Sequence, residues 1–267
     1  MAPFRFLDLP AEIRNEVYEY LVVVDSVFYT PDWYEYKVGG RFKDFDRYDK
    51  PSLQILQTCR ELHAEVEPFY LSRNKFVLPS MLEFHQPLRS TEPHPPHLKD
   101  TLPQHASADR VLFSKKALTC VKSFSMAFCF RNAMPLTVSH MDWHRMTAFV
   151  LRKFDNIDPV HRMHLTHKVA KVRQRNVWLR QIEAVKRFTS PLDLLEVDFT
   201  NAYCPFGCCR EYDDALFLFL ADLKPKVLRL LGLRVGDMAE VRRKVKNVED
   251  STDWIPEEVS YIPLEDI

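Results

Sequence analysis

Three thiols fall within six residues in Cys204-Pro205-Phe206-Gly207-Cys208-Cys209. Thiols at that density are the donors that a structural zinc site uses. Tetrahedral zinc takes four Cys or His ligands, commonly in pairs two residues apart. Here three residues separate Cys204 from Cys208, and no second cysteine pair follows. A fourth donor would have to come from His140, His144 or Cys120. The stretch therefore reads as a turn with partly buried thiols and no metal, with Cys204, Cys208 and Cys209 as the ligand candidates should that reading fail. His161, His164 and His167 recur at every third position, which spreads them over about a third of a helical turn. A zinc-binding helix sets two histidines four apart with an acidic partner. These three instead belong on the solvated, basic side of a long helix.

That helix also carries Lys168, Lys171, Arg175 and Arg180, and residues 160–187 hold eight Lys and Arg against the single acid Glu183. A basic helix is the electrostatic footprint of a nucleic-acid binder. The isoelectric point of about 7.1 and the lack of a helix-turn-helix, zinc-finger or RNA-recognition signature argue against nucleic acid as the partner. Enzyme signatures are missing as well: there is no Gly-rich phosphate loop, no Gly-x-Ser-x-Gly elbow and no His-Glu-x-x-His. Asp198 at a strand end reads as a solvated terminus, and Asp213-Asp214 as acids at a helix start, where the dipole favours them. The expectation is a protein without catalytic residues or cofactor that binds other proteins.

Composition sets the frame. Hydrophobic residues make up 46% and charged residues 28% of 267, ordinary values for a chain with a sizeable core. Residues 1–10 lack a basic cluster followed by an apolar run, and no apolar stretch approaches the length that spans a bilayer. Six cysteines without framework spacing fit a reducing compartment. Together these predict an intracellular protein, cytoplasmic or nuclear, with no membrane partner. The zero net charge is unevenly spread: residues 1–70 carry 8 bases against 13 acids, and residues 247–267 carry seven acids and no base.

With five glycines and eighteen prolines, proline does most of the punctuation. Its densest cluster, Pro87, Pro93, Pro95, Pro96 and Pro103, marks residues 79–108 as a linker or long loop. Before it, Pro10 opens a helix with Ile13, Val17 and Leu21 four apart, ending by Val24. Ser26–Tyr29 and Tyr34–Val38, followed by Gly39-Gly40, predict a small β-ribbon. A second helix is expected from about Ser52 to Ser72, with Leu56, Cys59, Leu62 or His63, Val66 and Phe69 or Tyr70 on one stripe.

After the linker, strands and helices alternate. Thr119–Phe130 reads as a buried strand with Phe124, Met126, Phe128 and Phe130 on one face and Ser123, Ser125, Ala127 and Cys129 on the other. Ser139 and Asp142 look like a cap for a helix carrying Trp143, Met146, Val150 and Phe154. A long helix from Asp158-Pro159 to Phe188 would bury Leu165, Val169, Val172, Leu179, Ile182 and Val185. Strands Leu194–Phe199 and Val227–Val235 flank a helix over Glu211–Leu223, which implies right-handed crossovers and a parallel layer of at least three strands. The predicted fold is mixed α/β: a helical module with an inserted ribbon over 4–78, the linker over 79–108, an α/β interaction region with a short, partly parallel sheet over 109–246, and an acidic tail over 247–267. A short, irregular leucine-rich-repeat sheet is one form of this, although no fixed repeat period is present.

Three segments of the first eighty residues carry a family resemblance. Phe6-Leu7-Asp8-Leu9-Pro10-Ala11-Glu12-Ile13-Arg14, continuing to Leu21, resembles the opening helix of F-box domains. Ile55-Leu56-Gln57-Thr58-Cys59-Arg60-Glu61-Leu62 resembles their second helix, with its Cys-Arg pair. Phe69-Tyr70 through Asn74-Lys75-Phe76 is similar to the closing segment of a fungal F-box-like family described as the double-EXR domain, after the Glu-Ile-Arg stretch found here at residues 12–14. The thiol stretch ending in Arg210 is also similar to stretches in such chains. The resemblance implies a module that docks on the adaptor subunit of a cullin–RING ubiquitin ligase through Leu9, Pro10, Ile13, Val17, Leu21, Cys59 and Leu62, while the later region recognises a target protein. The chain departs from an ordinary F-box by an insertion between the two helices that includes Trp33, Tyr34 and Tyr36. Three alternatives stand beside ligase docking: the same apolar stripe packing only within the chain, a regulatory or scaffold protein of this fold with no ubiquitin link, and a zinc- or nucleic-acid-binding module.

Overall fold

Alternation along each strand decides the architecture. A computed structural model describes residues 5–29, 40–42, 45–78, 117–128, 158, 178–179, 182, 185–186, 191–202 and 215–263. Six strands form one all-parallel sheet: β1 (Ser26–Phe28), β2 (Lys75–Val77), β3 (Ser123–Ala127), β4 (Leu194–Asp198), β5 (Val227–Leu233) and β6 (Glu258–Pro263). They lie side by side in chain order. Parallel neighbours in chain order require a crossover connection between each pair.

Side-chain burial follows from that. One register row, Val27, Phe76, Phe124, Leu195 and Leu228, enters a single core together with Met126, Val197 and Leu230. Packed onto the same core are Leu71 of α2 (Arg60–Arg73), Phe217, Phe219, Leu220 and Leu223 of α3 (Ala215–Leu223), and Val241, Val245 and Val248 of α4 (Val235–Ser251). Trp178, Ile182 and Val185, helical and buried, join it from the predicted long helix. Each such side chain contributes about 1.5–3 kcal/mol by leaving water. The residues that alternate with this row point to the other face. There Val77, Ser125, Ala127, Glu196, Asp198 and Leu231 are also buried but stand outside that core.

The strand over 119–130 is shorter than expected, because Ala117–Thr119 is a 3-10 turn, but its division into bulky and small faces holds at Phe124, Met126, Phe128, Ser125 and Ala127. Several expectations are corrected. Ser26–Phe28 pairs in parallel with β2, so it is a sheet strand and not one arm of a ribbon, and Gly40–Phe42 is a 3-10 turn. The expected second helix is broken in two: a 3-10 turn over Leu53–Gln57 precedes α2, and Cys59 between them is extended (φ −155°, ψ 166°). Its Sγ accepts the Leu62 N–H at 3.5 Å, taking the helix-capping role usually filled by Ser or Asp. The sheet also runs across the expected linker, since β2 pairs with β3. The acidic C-terminal stretch is folded as far as Pro263: α4 continues to Ser251 and β6 completes the sheet. Its acids partly neutralise nearby lysines, as in Lys246–Asp250 at 2.9 Å and Lys224–Asp253 at 2.7 Å.

A bulge shifts the β5–β6 register between Leu231 and Leu233. Gly232 sits in it at φ +71°, where a Cβ would overlap the backbone and hydroxyl of Thr200. Tyr34–Val38, the helix predicted after Ser139, and most of the long helix through Leu165, Val169 and Val172 lie outside the described residues.

Candidate protein-docking surface

The first helix, α1 (Ala11–Val22), follows Pro10, whose extended ψ of 146° turns the chain into it. Its spacing of apolar residues offers two faces. Tyr18 and Val22, one turn apart and 1% and 0% exposed, pack with Val66 of α2 into a small second core. Phe6, Leu21, Ile55, Leu56, Leu62 and Phe69 surround it. The Tyr18 ring lies 5.9 Å from Phe6 and 6.2 Å from Phe69, within the range of favourable aromatic pairs. On a helix of 3.6 residues per turn, Ile13, Val17 and Tyr20 fall within a sector of about 60°, well away from Tyr18 and Val22. Ile13 is 43% and Tyr20 88% exposed.

This divides the expected contact residues. Pro10, Ile13 and Cys59 are exposed, and Leu9 and Val17 are half-buried without joining the small core. Leu21 and Leu62 pack against that core, so they act as hairpin residues first. The stripe drawn through Ile13, Val17 and Leu21 is therefore split, because Leu21 is rotated toward Val22. Tyr20 extends the outer strip and was missed: its neighbours Glu19 and Glu16 hide it from a pattern search.

Arg14 fixes this strip to the rest of the hairpin. Its guanidinium forks onto Glu65 of α2 at 3.1 and 2.9 Å, and another nitrogen donates to the carbonyls of Leu7 at 3.2 Å and Leu9 at 2.7 Å. The Tyr18 hydroxyl donates to the same Glu65 carboxylate at 2.7 Å. Tyr18 and Arg14 hold the Glu65 carboxyl below its ordinary range. Burial and the neighbouring Glu65 push the Tyr18 hydroxyl up to about 12. The third residue of the Glu-Ile-Arg stretch thus holds the Leu-Pro turn in place by its backbone carbonyls. The charge and the motif were both legible, but the partner on α2 was not.

Where the hairpin meets the sheet, Asn74 is fully buried. Its side chain accepts the Val24 N–H at 2.8 Å and donates to the carbonyls of Val22 at 2.9 Å and Tyr70 at 2.8 Å. Asp198 was expected as a solvated strand end. It is instead 3% exposed and paired with Arg41 at 3.1 Å, because the turn Gly40–Phe42 brings the Arg41 guanidinium over the sheet. Cys204, Cys208, Cys209, Asp213, Asp214, the histidines at 140, 144, 161, 164 and 167, and Lys168, Lys171, Arg175 and Arg180 lie outside the described residues. Cys120 is half-buried beside Thr119, at 3.8 Å from its hydroxyl. Among the described residues no group of three His, Cys, Asp or Glu is placed to hold a metal, and no helix is long and apolar enough to cross a membrane.

The fold and the strip define a parallel-sheet α/β protein with a helical hairpin at its N-terminal end. Comparison with protein-family models, with curated proteins and with solved structures finds no match.

Proposed function

We propose that the protein is a non-enzymatic, F-box-like recognition subunit. Leu9, Pro10, Ile13, Val17 and Tyr20 dock on the adaptor of a cullin–RING ubiquitin ligase, and the sheet region binds a target protein. One observation carries the reading: α1 has two apolar faces, and among the described residues the small core of the hairpin is built on the one through Tyr18 and Val22, while Ile13 and Tyr20 on the other are exposed. An exposed apolar strip on a helix, with a turn preset by Arg14, suits helix-surface docking with little ordering cost on binding. The test is capture of the purified adaptor at micromolar concentration by the full chain. Wild type should capture it, and Leu9→Ala with Pro10→Ala, or Ile13→Asp alone, should abolish capture while moving the thermal midpoint by no more than a few degrees. Wild type that captures no adaptor sinks the ligase reading.

A second reading is favoured by a different observation. Helices α1 and α2 run directly into β1 and β2 of the sheet, with the Lys75 N–H bonded to the Asp25 carbonyl at 2.8 Å. A hairpin built as the first part of the sheet fits a scaffold of the same fold with no ubiquitin link, in which the strip meets another protein.

A further inference from the structure

The exposed strip on α1 has an edge whose charges the fold does not use. At about 100° per residue, Glu12, Glu16 and Glu19 fall in a sector of about 60° immediately beside the one that holds Ile13, Val17 and Tyr20. All three acids are exposed, and among the described residues none of them has an ionic partner. The other edge of the strip is closed, because Leu21 packs on the small core and Arg14 is committed to Glu65. Residues 5–29 hold five acids against two bases. Whatever covers the strip therefore meets negative charge along its one open side.

Helix stability does not account for that edge. Glu12 and Glu16 stand four apart and Glu16 and Glu19 three apart, spacings at which like charges repel. Glu19 also lies in the last turn of α1, at the negative end of the helix dipole, where an acid is unfavourable. No lysine occurs in α1, and its one arginine is spent on α2. The charges of α4 are arranged the other way: Glu240 pairs with Lys244 at 3.6 Å, and Lys246 takes Glu249 at 3.3 Å and Asp250 at 2.9 Å. A run of acids that weakens the free helix, set beside exposed apolar residues at positions i, i+4 and i+7, is the pattern of a helix that seats in another protein's groove. A second copy is a poor occupant, because antiparallel pairing across the strip sets the two acidic edges against each other.

We propose that α1 docks in an apolar groove of a partner protein that carries Lys or Arg along the side facing Glu12, Glu16 and Glu19. This rests on the reading that the strip binds another protein, and it holds whether or not that protein is the ligase adaptor. The probes are two braced helical peptides with the same leucine face, one edged by lysine and the other by glutamate, each mimicking one wall of such a groove. They are titrated into the full chain at millimolar concentration and followed by amide chemical shifts. The lysine-edged peptide should move residues 12–20 saturably and bind at least about fivefold tighter than the glutamate-edged one, three exposed charge contacts acting together. Glu16→Gln with Glu19→Gln should bring that preference to about twofold or less and leave the thermal midpoint unchanged or higher. Salt at about 0.5 M should reduce the wild-type preference likewise. Ile13→Asp should lose the saturable shifts although it adds an acid, because the contact needs the apolar strip. Four results overturn the proposal: wild type without saturable shifts in residues 12–20, a lysine preference that survives in the Gln variant, Ile13→Asp that binds like wild type, or a Gln variant with a lower midpoint. A wild-type dimer in sedimentation that Ile13→Asp dissociates overturns it as well. Adaptor capture is a separate result: lysine-edged binding without it sinks the ligase reading alone, and capture without a lysine preference sinks this proposal alone.

Discussion

Replacing Asn74 by alanine tests whether the hairpin and the sheet are joined as described. Asn74 is fully buried, and its three hydrogen bonds reach the end of α1, the chain entering β1 and the last turn of α2. Alanine leaves the part-buried Val24 N–H without its acceptor and takes a donor from the carbonyls of Val22 and Tyr70. An unsatisfied buried polar group costs about 1–3 kcal/mol. Counting the N–H near the middle of that range and each carbonyl near the bottom gives a loss of about 3–4 kcal/mol, reduced to about 2–3 kcal/mol if water fills the vacated space. For a chain of this size that is a fall in thermal midpoint of about 5–10 °C. Urea unfolding followed by fluorescence of the buried Trp254 and by far-ultraviolet circular dichroism measures it, and Val24 amide exchange should rise with it. Asn74→Asp sharpens the test. It keeps the acceptor for Val24 but faces two carbonyls with a carboxyl group, which raises the folded pKa of that group above its unfolded value. Stability is then highest below the unfolded value and falls as pH rises through the folded one, so Asn74→Asp should lose more at pH 8 than at pH 5. An alanine variant that loses under about 1 kcal/mol, or an aspartate variant indifferent to pH, would refute the role assigned to this residue.

Gly232→Ala forces a Cβ into Thr200 at a positive φ and should cost at least about 2 kcal/mol, whereas Gly236→Ala in α4, with nothing within 4 Å of the new Cβ, should be neutral or slightly stabilising; paired thermal melts decide both. Tyr18 and Tyr70 have hydroxyls pushed up to about 12 by burial, and Tyr29 is pushed further the same way. Their folded values lie above the unfolded one, so their contribution is whole below pH 10 and is lost as pH rises toward 12. A urea midpoint that declines across that window, with tyrosine ionisation delayed until unfolding, is the expected result.

The sheet strands were legible where alternation was strong. Strand β3 announced its two faces because Phe124 and Met126 alternate with Ser125 and Ala127, β5 is an apolar run broken only by Arg229 and Gly232, and β4 shows itself through Leu194, Leu195 and Val197. Strands β1 and β2 were not read as neighbours. Each has three residues, too few for a period to show, and their pairing depends on where α1 and α2 stop, which Asn74 fixes by contacts distant in sequence. The acidic composition after residue 247 suggested a tail because charge outweighs pattern there. Yet Val248 continues the α4 stripe of Val241 and Val245 past that point, and Val259, Tyr261 and Ile262 suffice for an edge strand.

The candidate site divides along the same line between local and distant information. A spacing of four along Ile13, Val17 and Leu21 identifies a helix and an apolar face, both local properties. Which face the protein keeps for itself depends on α2, and Tyr18, bonded to Glu65 and packed on Phe69, draws the small core to the side of the helix away from Ile13. Had the hairpin used the Ile13 face, that strip would be explained by stability alone and docking would have no support. The Arg41–Asp198 pair is the extreme case. Neither residue stands in a motif, no periodicity connects them, and an aspartate at a strand end looks solvated until the rest of the chain is folded around it. Burying that pair costs desolvation that a hydrophobic pair would avoid. Removing either partner alone would leave an unpaired buried charge, so the two residues act as one unit that only the assembled sheet reveals.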